Sequence, residues 1–113
     1  MHEMSIIMNV VTIATDIARE NNAAKINSIE LSVGVLSGVV PDALEFCFSS
    51  ACKGTPAENA TLKLDIILAD AQCESCGFKF QAKEMVNQCP KCKEMVFQIS
   101  GGRELKVAAI NVD

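Results

Sequence analysis

Residues 73–92 constrain the fold of this chain more than any other stretch, because they hold two Cys-x-x-Cys pairs. The first pair is Cys73 with Cys76, and the second is Cys89 with Cys92. Each pair offers two thiolates from one tight turn, and two facing turns form a tetrahedral four-sulfur site. Thiolates in this array suit zinc or iron, and zinc fits best. The pattern therefore predicts a structural zinc site with every coordination position filled by protein.

The alternatives for the same four residues are two disulfides or four unrelated buried cysteines. The first residues lack the basic flank and the cleavage pattern of a secretory signal, so we expect a reducing cytoplasm in which thiols stay free. No apolar run reaches the roughly 18 residues of a membrane span. The sequence thus predicts a cytoplasmic protein that uses its paired cysteines for metal.

Length and charge further limit the classes of protein to which this chain can belong. The 113 residues correspond to one domain by length, and 50% of them are hydrophobic, which is enough for a core that a metal can reinforce. Ten Lys and Arg stand against 14 Asp and Glu, for a formal charge of −4. Proteins that bind phosphate backbones concentrate Lys and Arg, so this balance argues against a nucleic-acid partner.

Periodicity predicts two helices and three main strands. Residues 4–20 carry a narrow polar stripe opposite a wide apolar face, and a second apolar stripe follows Pro41. Residues 29–36, 62–68 and 105–112 alternate as half-buried strands do, although the last run changes phase and suggests a bulge. The apolar positions that we expect to face the core from the first helix are Ile6, Ile7, Val10, Ile13, Ala14 and Ile17.

These elements define an expected architecture. We predict an α+β fold in which two helices cover a three-stranded sheet, with a zinc-ribbon subdomain inserted before the last strand. The expected domains are an α/β domain of residues 1–70 plus 101–113, and a zinc-ribbon domain of residues 71–100. Gly101 and Gly102 mark a turn or hinge between the ribbon and the last strand.

The N-terminus holds the one histidine of the chain, His2. Methionine aminopeptidases need a small second residue, so we expect Met1 to remain. The α-amine of Met1, the backbone nitrogen and imidazole of His2, and the backbone nitrogen of Glu3 could then form a four-nitrogen plane. That donor set suits Ni(II) or Cu(II). The ordinary alternative for a second-position histidine is a frayed terminus without ligand.

The two remaining cysteines, Cys47 and Cys52, have no neighbouring thiol in sequence. Cys47 lies on the apolar stripe of the second helix, so we expect a small core residue. Cys52 lies near the end of that helix, where we expect partial exposure. Neither is predicted to bind metal.

Several segments together resemble the HypA/HybF family of hydrogenase nickel-incorporation proteins. They are MHEMSI at the start, LSGVVPDALEFCF after the first strand, KGT, the two cysteine pairs, and GRELKV near the end. The resemblance covers essentially the whole chain. This sequence departs from many relatives at Lys93, where a glycine commonly follows the last cysteine.

The resemblance implies a nickel metallochaperone for the large subunit of [NiFe]-hydrogenase, not an enzyme. It places a nickel site at His2, Met1 and Glu3 in the α/β domain, and structural zinc at the four paired cysteines. It implies a HypB-type GTPase as partner, with urease maturation proteins sharing the nickel in some organisms. The oligomeric state is left open.

Three other functions compete with this interpretation. A zinc-ribbon adaptor would bind nucleic acid in a salt-dependent way, and a rubredoxin-like carrier would hold iron at the same four thiolates. A thioredoxin-type enzyme would need a single Cys-x-x-Cys at a strand-to-helix junction. Two pairs following a strand match that last arrangement poorly. The single histidine lies at the terminus, so the sequence offers few groups for acid–base catalysis.

Overall fold

The computed structural model describes residues 2–113 and shows an α+β protein. Met1 lies outside the described residues. The helices are α1 (Glu3–Glu20) and α2 (Pro41–Cys52). The strands are β1 (Ile26–Gly34), β2 (Thr61–Ile67), β3 (Ala69–Gln72), β4 (Lys79–Ala82), β5 (Asn87–Gln88), β6 (Met95–Val96), β7 (Ile99–Ser100) and β8 (Leu105–Val112).

The chain forms two compact units. The first comprises residues 1–32, 39–65 and 106–113, and the second comprises residues 33–38 and 66–105. Both helices fall in the first unit, and all four paired cysteines fall in the second. The division into functional domains at residues 71 and 100 stays a prediction.

Helix α1 packs its apolar face into the core of the first unit and ends at asparagine. Ile7, Val10 and Ala14 are buried there, whereas the predicted polar stripe is exposed. Asn22 follows the helix with φ of 57°, a left-handed conformation that asparagine tolerates at a helix stop. One expected core position was wrong: Ile13 is 48% exposed, because the buried face is centred on the side of the helix away from it.

The larger sheet confirms the predicted three strands, in the order β2-β1-β8. Ile29 and Leu31 of β1 are fully buried and Glu30 is exposed, as strand alternation requires. In β8 the half-buried residues are Val107, Ile110 and Val112, so the spacing changes from three to two and the alternation changes phase within the strand. That shift agrees with the irregular pattern of the sequence.

Helix α2 buries Leu44 and Phe48 on one face, and it packs against α1. Pro41 begins the helix, where its missing N–H costs nothing. The expectations for the two isolated cysteines were reversed: Cys52 is buried at 1% exposure, and Cys47 is only half-buried. Position 52 lies four residues after Phe48, so it continues the buried row of the helix.

The second unit is built from short strands. One sheet has the order β4-β3-β7, and β5 pairs with β6. Strand β3 runs antiparallel to both neighbours, with Ala71 opposite Phe80 and Ile99. The buried core of this unit consists of Ala69, Ala71, Cys73, Ala82, Cys89 and Val96. Small residues and cysteines supply most of it, so little apolar area stabilises this unit.

Strand β3 was not predicted, because the alternation of β2 was extended through Leu68. Ile66 is 42% exposed and Ile67 is half-buried, so the phase changes before β2 ends. The chain then continues as β3 in a different sheet.

Two glycines of the second unit allow a close backbone approach. A Cβ on Gly34 would overlap the Gly102 carbonyl, and a Cβ on Gly102 would lie 2.8 Å from the Ala69 side chain. Gly102 also has φ of 78°, which L-residues with side chains rarely adopt. The predicted turn at residues 101–102 is thus a point where glycine is required for two reasons.

Candidate metal centre

The four paired cysteines meet in space. The sulfur atoms of Cys73, Cys76, Cys89 and Cys92 all lie within 4.8 Å of one another. Cys73 Sγ is 3.5 Å from Cys92 Sγ, and Cys76 Sγ is 3.7 Å from Cys89 Sγ. Both short distances join a sulfur of the first turn to one of the second. The sequence pattern therefore correctly predicted a single cluster of the two pairs.

These distances fit a metal site and do not fit disulfides. A zinc–sulfur bond of about 2.3 Å in a tetrahedron separates any two sulfurs by about 3.8 Å. A disulfide would require about 2.05 Å, and all six cysteines are free. The closest sulfur–sulfur distances in the cluster are thus near those of a tetrahedral four-thiolate zinc site.

Two turns of the same form present the sulfurs. Gly77 N–H donates to the Cys73 carbonyl at 2.8 Å, and Lys93 N–H donates to the Cys89 carbonyl at 3.0 Å. Both closing residues are left-handed, with φ of 78° at Gly77 and 70° at Lys93. Glycine adopts that conformation freely, whereas lysine is strained in it. Lys93 therefore carries a local cost in backbone energy that Gly77 does not.

Backbone N–H groups are aimed at sulfur within the second turn. The amides of Lys91 and Cys92 lie 3.4 Å from Cys89 Sγ. Burial opposes ionisation of Cys89, but these N–H groups and the neighbouring thiols outweigh it and lower its pKa to about 6. The N–H of Cys76 likewise lowers the pKa of Cys73, against the effect of burial.

The fourth thiol behaves in the opposite way. A hydrogen bond from the Glu94 backbone favours the thiolate of Cys92, yet burial and the three neighbouring sulfurs raise its pKa to about 12. Negative charge on the first sulfurs to ionise opposes the loss of this last proton. A divalent cation would reverse that balance, since metal-bound thiols are deprotonated outright. The four thiolates and their spacing both fit zinc. A zinc ion there would be a Lewis acid that binds both turns and so holds them together, with no coordination position left open.

The residues predicted at the N-terminal site are arranged differently. His2 is exposed and precedes α1, and its carbonyl accepts the N–H of Ile6 at 3.1 Å. Within residues 2–113 that is the first bond of the helix, and the amides of Glu3, Met4 and Ser5 precede it. Met1, the third member of the predicted site, falls outside the described residues.

The side chain of Glu3 points into the protein. It is 5% exposed; Oε2 accepts the Val40 N–H at 3.4 Å, and Oε1 is buried with no hydrogen-bond partner among residues 2–113. Its own backbone N–H is the main cause of a lowered pKa, against burial and with help from Val40. Sequence reasoning missed this contact, because nothing in the sequence links residues 3 and 40.

Cys47 and Cys52 are not part of the sulfur cluster. Burial raises the pKa of Cys52 to about 11, which makes it a poor ligand or nucleophile at neutral pH. Within residues 2–113 no other group of three or more His, Cys, Asp or Glu side chains is close enough to hold a metal. Neither helix in that range combines the length and apolar character that a bilayer crossing requires.

The fold and the cysteine cluster define a small metal-binding protein of the α+β class, with a zinc-ribbon subdomain. The family model described as "Hydrogenase/urease nickel incorporation, metallochaperone, hypA" matches residues 1–112. The chain therefore belongs to the HypA family.

Individual proteins agree with this assignment. A "Hydrogenase maturation factor HypA" from Chlorobaculum parvum is 43% identical over 113 residues, with both chains covered completely. One of the same name from Rhizobium leguminosarum bv. viciae is 40% identical over 112 residues, covering 99% of each chain. The solution structure of the Ni metallochaperone HypA from Helicobacter pylori superposes with a TM-score of 0.68 at 20% identity, covering 99% of this chain and 97% of that one. That structure supports the fold alone.

Proposed function

We propose that this protein carries Ni(II) at its N-terminus to the large subunit of [NiFe]-hydrogenase, while zinc at four cysteines holds its ribbon together. The observation that carries the proposal is family membership across residues 1–112. Nickel is the cargo in this proposal, and the protein is not an enzyme. It would act in the cytoplasm, with a HypB-type GTPase as partner and with urease maturation as a second possible destination.

The start of α1 supports backbone nitrogen donors for nickel. The Glu3 amide lies ahead of the Ile6 amide, which donates to the His2 carbonyl, so its deprotonation would cost the contact with its own carboxylate but no helical hydrogen bond. The exposed His2 side chain is free to turn toward the terminus. Together with the α-amine of Met1 and the His2 amide, these nitrogens would complete a square plane, the geometry that Ni(II) accepts.

The buried Glu3 carboxylate argues for the same nitrogen set. Its Oε2 is engaged by Val40, and the side chain is 5% exposed, so its oxygens face away from solvent. Glu3 would therefore contribute its backbone nitrogen to the metal and use its carboxylate to anchor the first turn of α1. A site on such a terminus can be dismantled one ligand at a time, which suits delivery of the ion.

Zinc at Cys73, Cys76, Cys89 and Cys92 would have a structural role. Four protein ligands leave no position for substrate. The ribbon core contains few large apolar side chains, so the metal would supply much of its stability.

Nickel titration by calorimetry tests the proposal on protein whose chain begins at Met1, with no residue added before it. His2→Ala should abolish specific nickel binding while zinc content and helical circular dichroism stay unchanged. A residue added before Met1 should have the same effect, because it removes the α-amine as a donor. Cys47→Ser is the matched control and should bind nickel normally. Unchanged nickel affinity in both N-terminal variants would contradict the assignment.

The four-thiolate set also fits iron, so a rubredoxin-like carrier is the second candidate. Ferric tetrathiolate absorbs visible light and zinc does not, and the spectrum of protein purified without added metal decides between them. A nucleic-acid adaptor is less well supported, because exposed Lys79 and Lys91 alternate on the ribbon with exposed Glu74 and Glu94. Mixed charge of this kind does not form a basic patch.

A further inference from the structure

The two cysteine turns are copies of each other with an offset of 16 residues, and the copy extends beyond the cysteines. The Cys73 amide donates to the Phe78 carbonyl at 2.9 Å, and the Cys89 amide donates to the Glu94 carbonyl at 2.8 Å. In sequence the repeat reads QCESCGF and QCPKCKE, so a glutamine precedes the first cysteine of each pair.

Both glutamines make the same hydrogen bond. Gln72 Nε2 donates to the Gly77 carbonyl at 3.5 Å, and Gln88 Nε2 donates to the Lys93 carbonyl at 3.1 Å. In each case the carboxamide reaches across the turn from the residue before the first cysteine to the left-handed residue after the second. The acceptor is the carbonyl of the one residue in each turn whose φ is positive.

We propose that Gln72 and Gln88 are positioning residues that hold the two cysteine turns closed around the metal. This inference rests on the proposed zinc binding. The carboxamide fixes the peptide that follows the left-handed residue of each turn, so the two sulfurs of that turn keep their separation when the metal is stripped or exchanged. Partners that orient metal ligands in this way typically change metal retention when they are removed.

The two bonds are unequal in importance. The Gln88 bond is shorter, and it secures Lys93, a residue with a side chain held at φ of 70°. The Gln72 bond is longer, and it secures Gly77, which adopts its φ of 78° without strain. Loss of Gln88 should therefore loosen the site more than loss of Gln72.

The test measures the rate at which zinc-loaded protein loses Zn(II) to an excess of a chromophoric chelator. Gln88→Leu keeps the size of the side chain and removes the donor, and it should accelerate zinc loss by about threefold to tenfold, the value of one net hydrogen bond. Gln72→Leu should have a smaller effect in the same direction. Gln81→Leu, an exposed glutamine on β4 of the same unit, is the matched control and should leave the rate unchanged.

A double variant separates positioning from a general effect on the ribbon. Lys93→Gly removes the strain that Gln88 holds in place, so the Gln88→Leu change should accelerate zinc loss less in that background than in the wild type. Strictly additive effects, a Gln88→Leu rate equal to the wild-type rate, or an equal acceleration by Gln81→Leu would each overturn the inference.

Two different results would contradict the zinc site and the positioning role of the glutamines. A wild-type protein that holds no zinc would overturn both. A zinc-loaded wild type with unaffected glutamine variants would overturn the positioning role alone.

Discussion

The Glu3 carboxylate accepts a hydrogen bond from the Val40 backbone N–H at 3.4 Å, so the first turn of α1 is tied to the N-cap of α2. The second carboxylate oxygen is buried without a partner among residues 2–113. A negative charge between two helix N-termini is favourable, because both expose unbonded N–H groups. The pKa of Glu3 is lowered chiefly by its own backbone N–H, against burial and with help from the Val40 N–H.

This contact predicts a pH-dependent contribution to stability. Because the folded-state pKa of Glu3 is depressed, its stabilising effect is present above about pH 4.5 and is lost as the pH falls through the folded-state value. Glu3→Gln should therefore lower the melting temperature at pH 7, and the difference from wild type should shrink toward pH 3. Thermal melts across that range check this. Glu20→Gln, at the exposed end of α1, is the control. A gap that is equal at all pH values would contradict the prediction.

The left-handed conformation of Lys93 predicts a stabilising substitution. A side chain at φ of 70° costs about 1–2 kcal/mol, and the greater freedom of glycine in the unfolded chain cancels part of that gain. Lys93→Gly should raise the free energy of unfolding of the zinc-loaded ribbon by about 0.5–1 kcal/mol. Denaturant titration measures it. Gly77→Lys, the reverse change in the other turn, should lower the free energy of unfolding by a similar amount. Destabilisation by Lys93→Gly, or stabilisation by Gly77→Lys, would refute the strain argument.

The two isolated cysteines should differ in reactivity. Cys47 is half-buried, whereas Cys52 is buried and its pKa is raised to about 11 by desolvation. In zinc-loaded protein at pH 8 a disulfide reagent should therefore label Cys47 first and Cys52 only on unfolding. Cys47→Ser should remove the fast phase and Cys52→Ser should not. Peptide mass spectrometry identifies the labelled residue. Fast labelling of Cys52 instead of Cys47 would contradict the prediction.

Metal removal should affect the two compact units unequally. A strong chelator, or Cys89→Ser, should release hydrogen-exchange protection in β3 to β7, because cysteines form part of the ribbon core. The helical circular dichroism should persist, since α1 and α2 belong to the other unit. Exchange measured by mass spectrometry resolves both regions in one experiment. Equal loss of protection in α1 and β4 would contradict a metal role limited to the ribbon.

Much of the fold could be predicted from the sequence, because the residue patterns that indicate its helices and strands are local. Strict alternation at Ile29 to Val33 and the polar stripe of α1 each depend on one element facing one core. The cysteine cluster is predictable for the same reason, since Cys-x-x-Cys places two sulfurs on one turn whatever surrounds it. The glutamine before each pair was not singled out in the sequence, because only the hydrogen bonds reveal its use.

Predictions failed where a choice depended on packing partners. Ile13 is as apolar as Ile7, yet it is exposed, because the rotation of α1 is decided by what lies beneath it. Cys47 and Cys52 have equal chemistry, and the burial of one follows from its place in the row of Phe48. Strand β3 escaped notice because four residues with two alanines give a weak pattern without neighbouring strands.

By itself, the sequence determined the order of the two helices and three main strands, the α+β class, the four-sulfur site and the resemblance that points to the N-terminus, since each depends on residue type and spacing. Only the tertiary structure decided that the Glu3 carboxylate faces Val40, that Lys93 is held left-handed, and that Gln88 closes its turn. Those are relations between groups whose positions in space depend on the packing of the chain around them. No local pattern specifies which residues such packing will bring together.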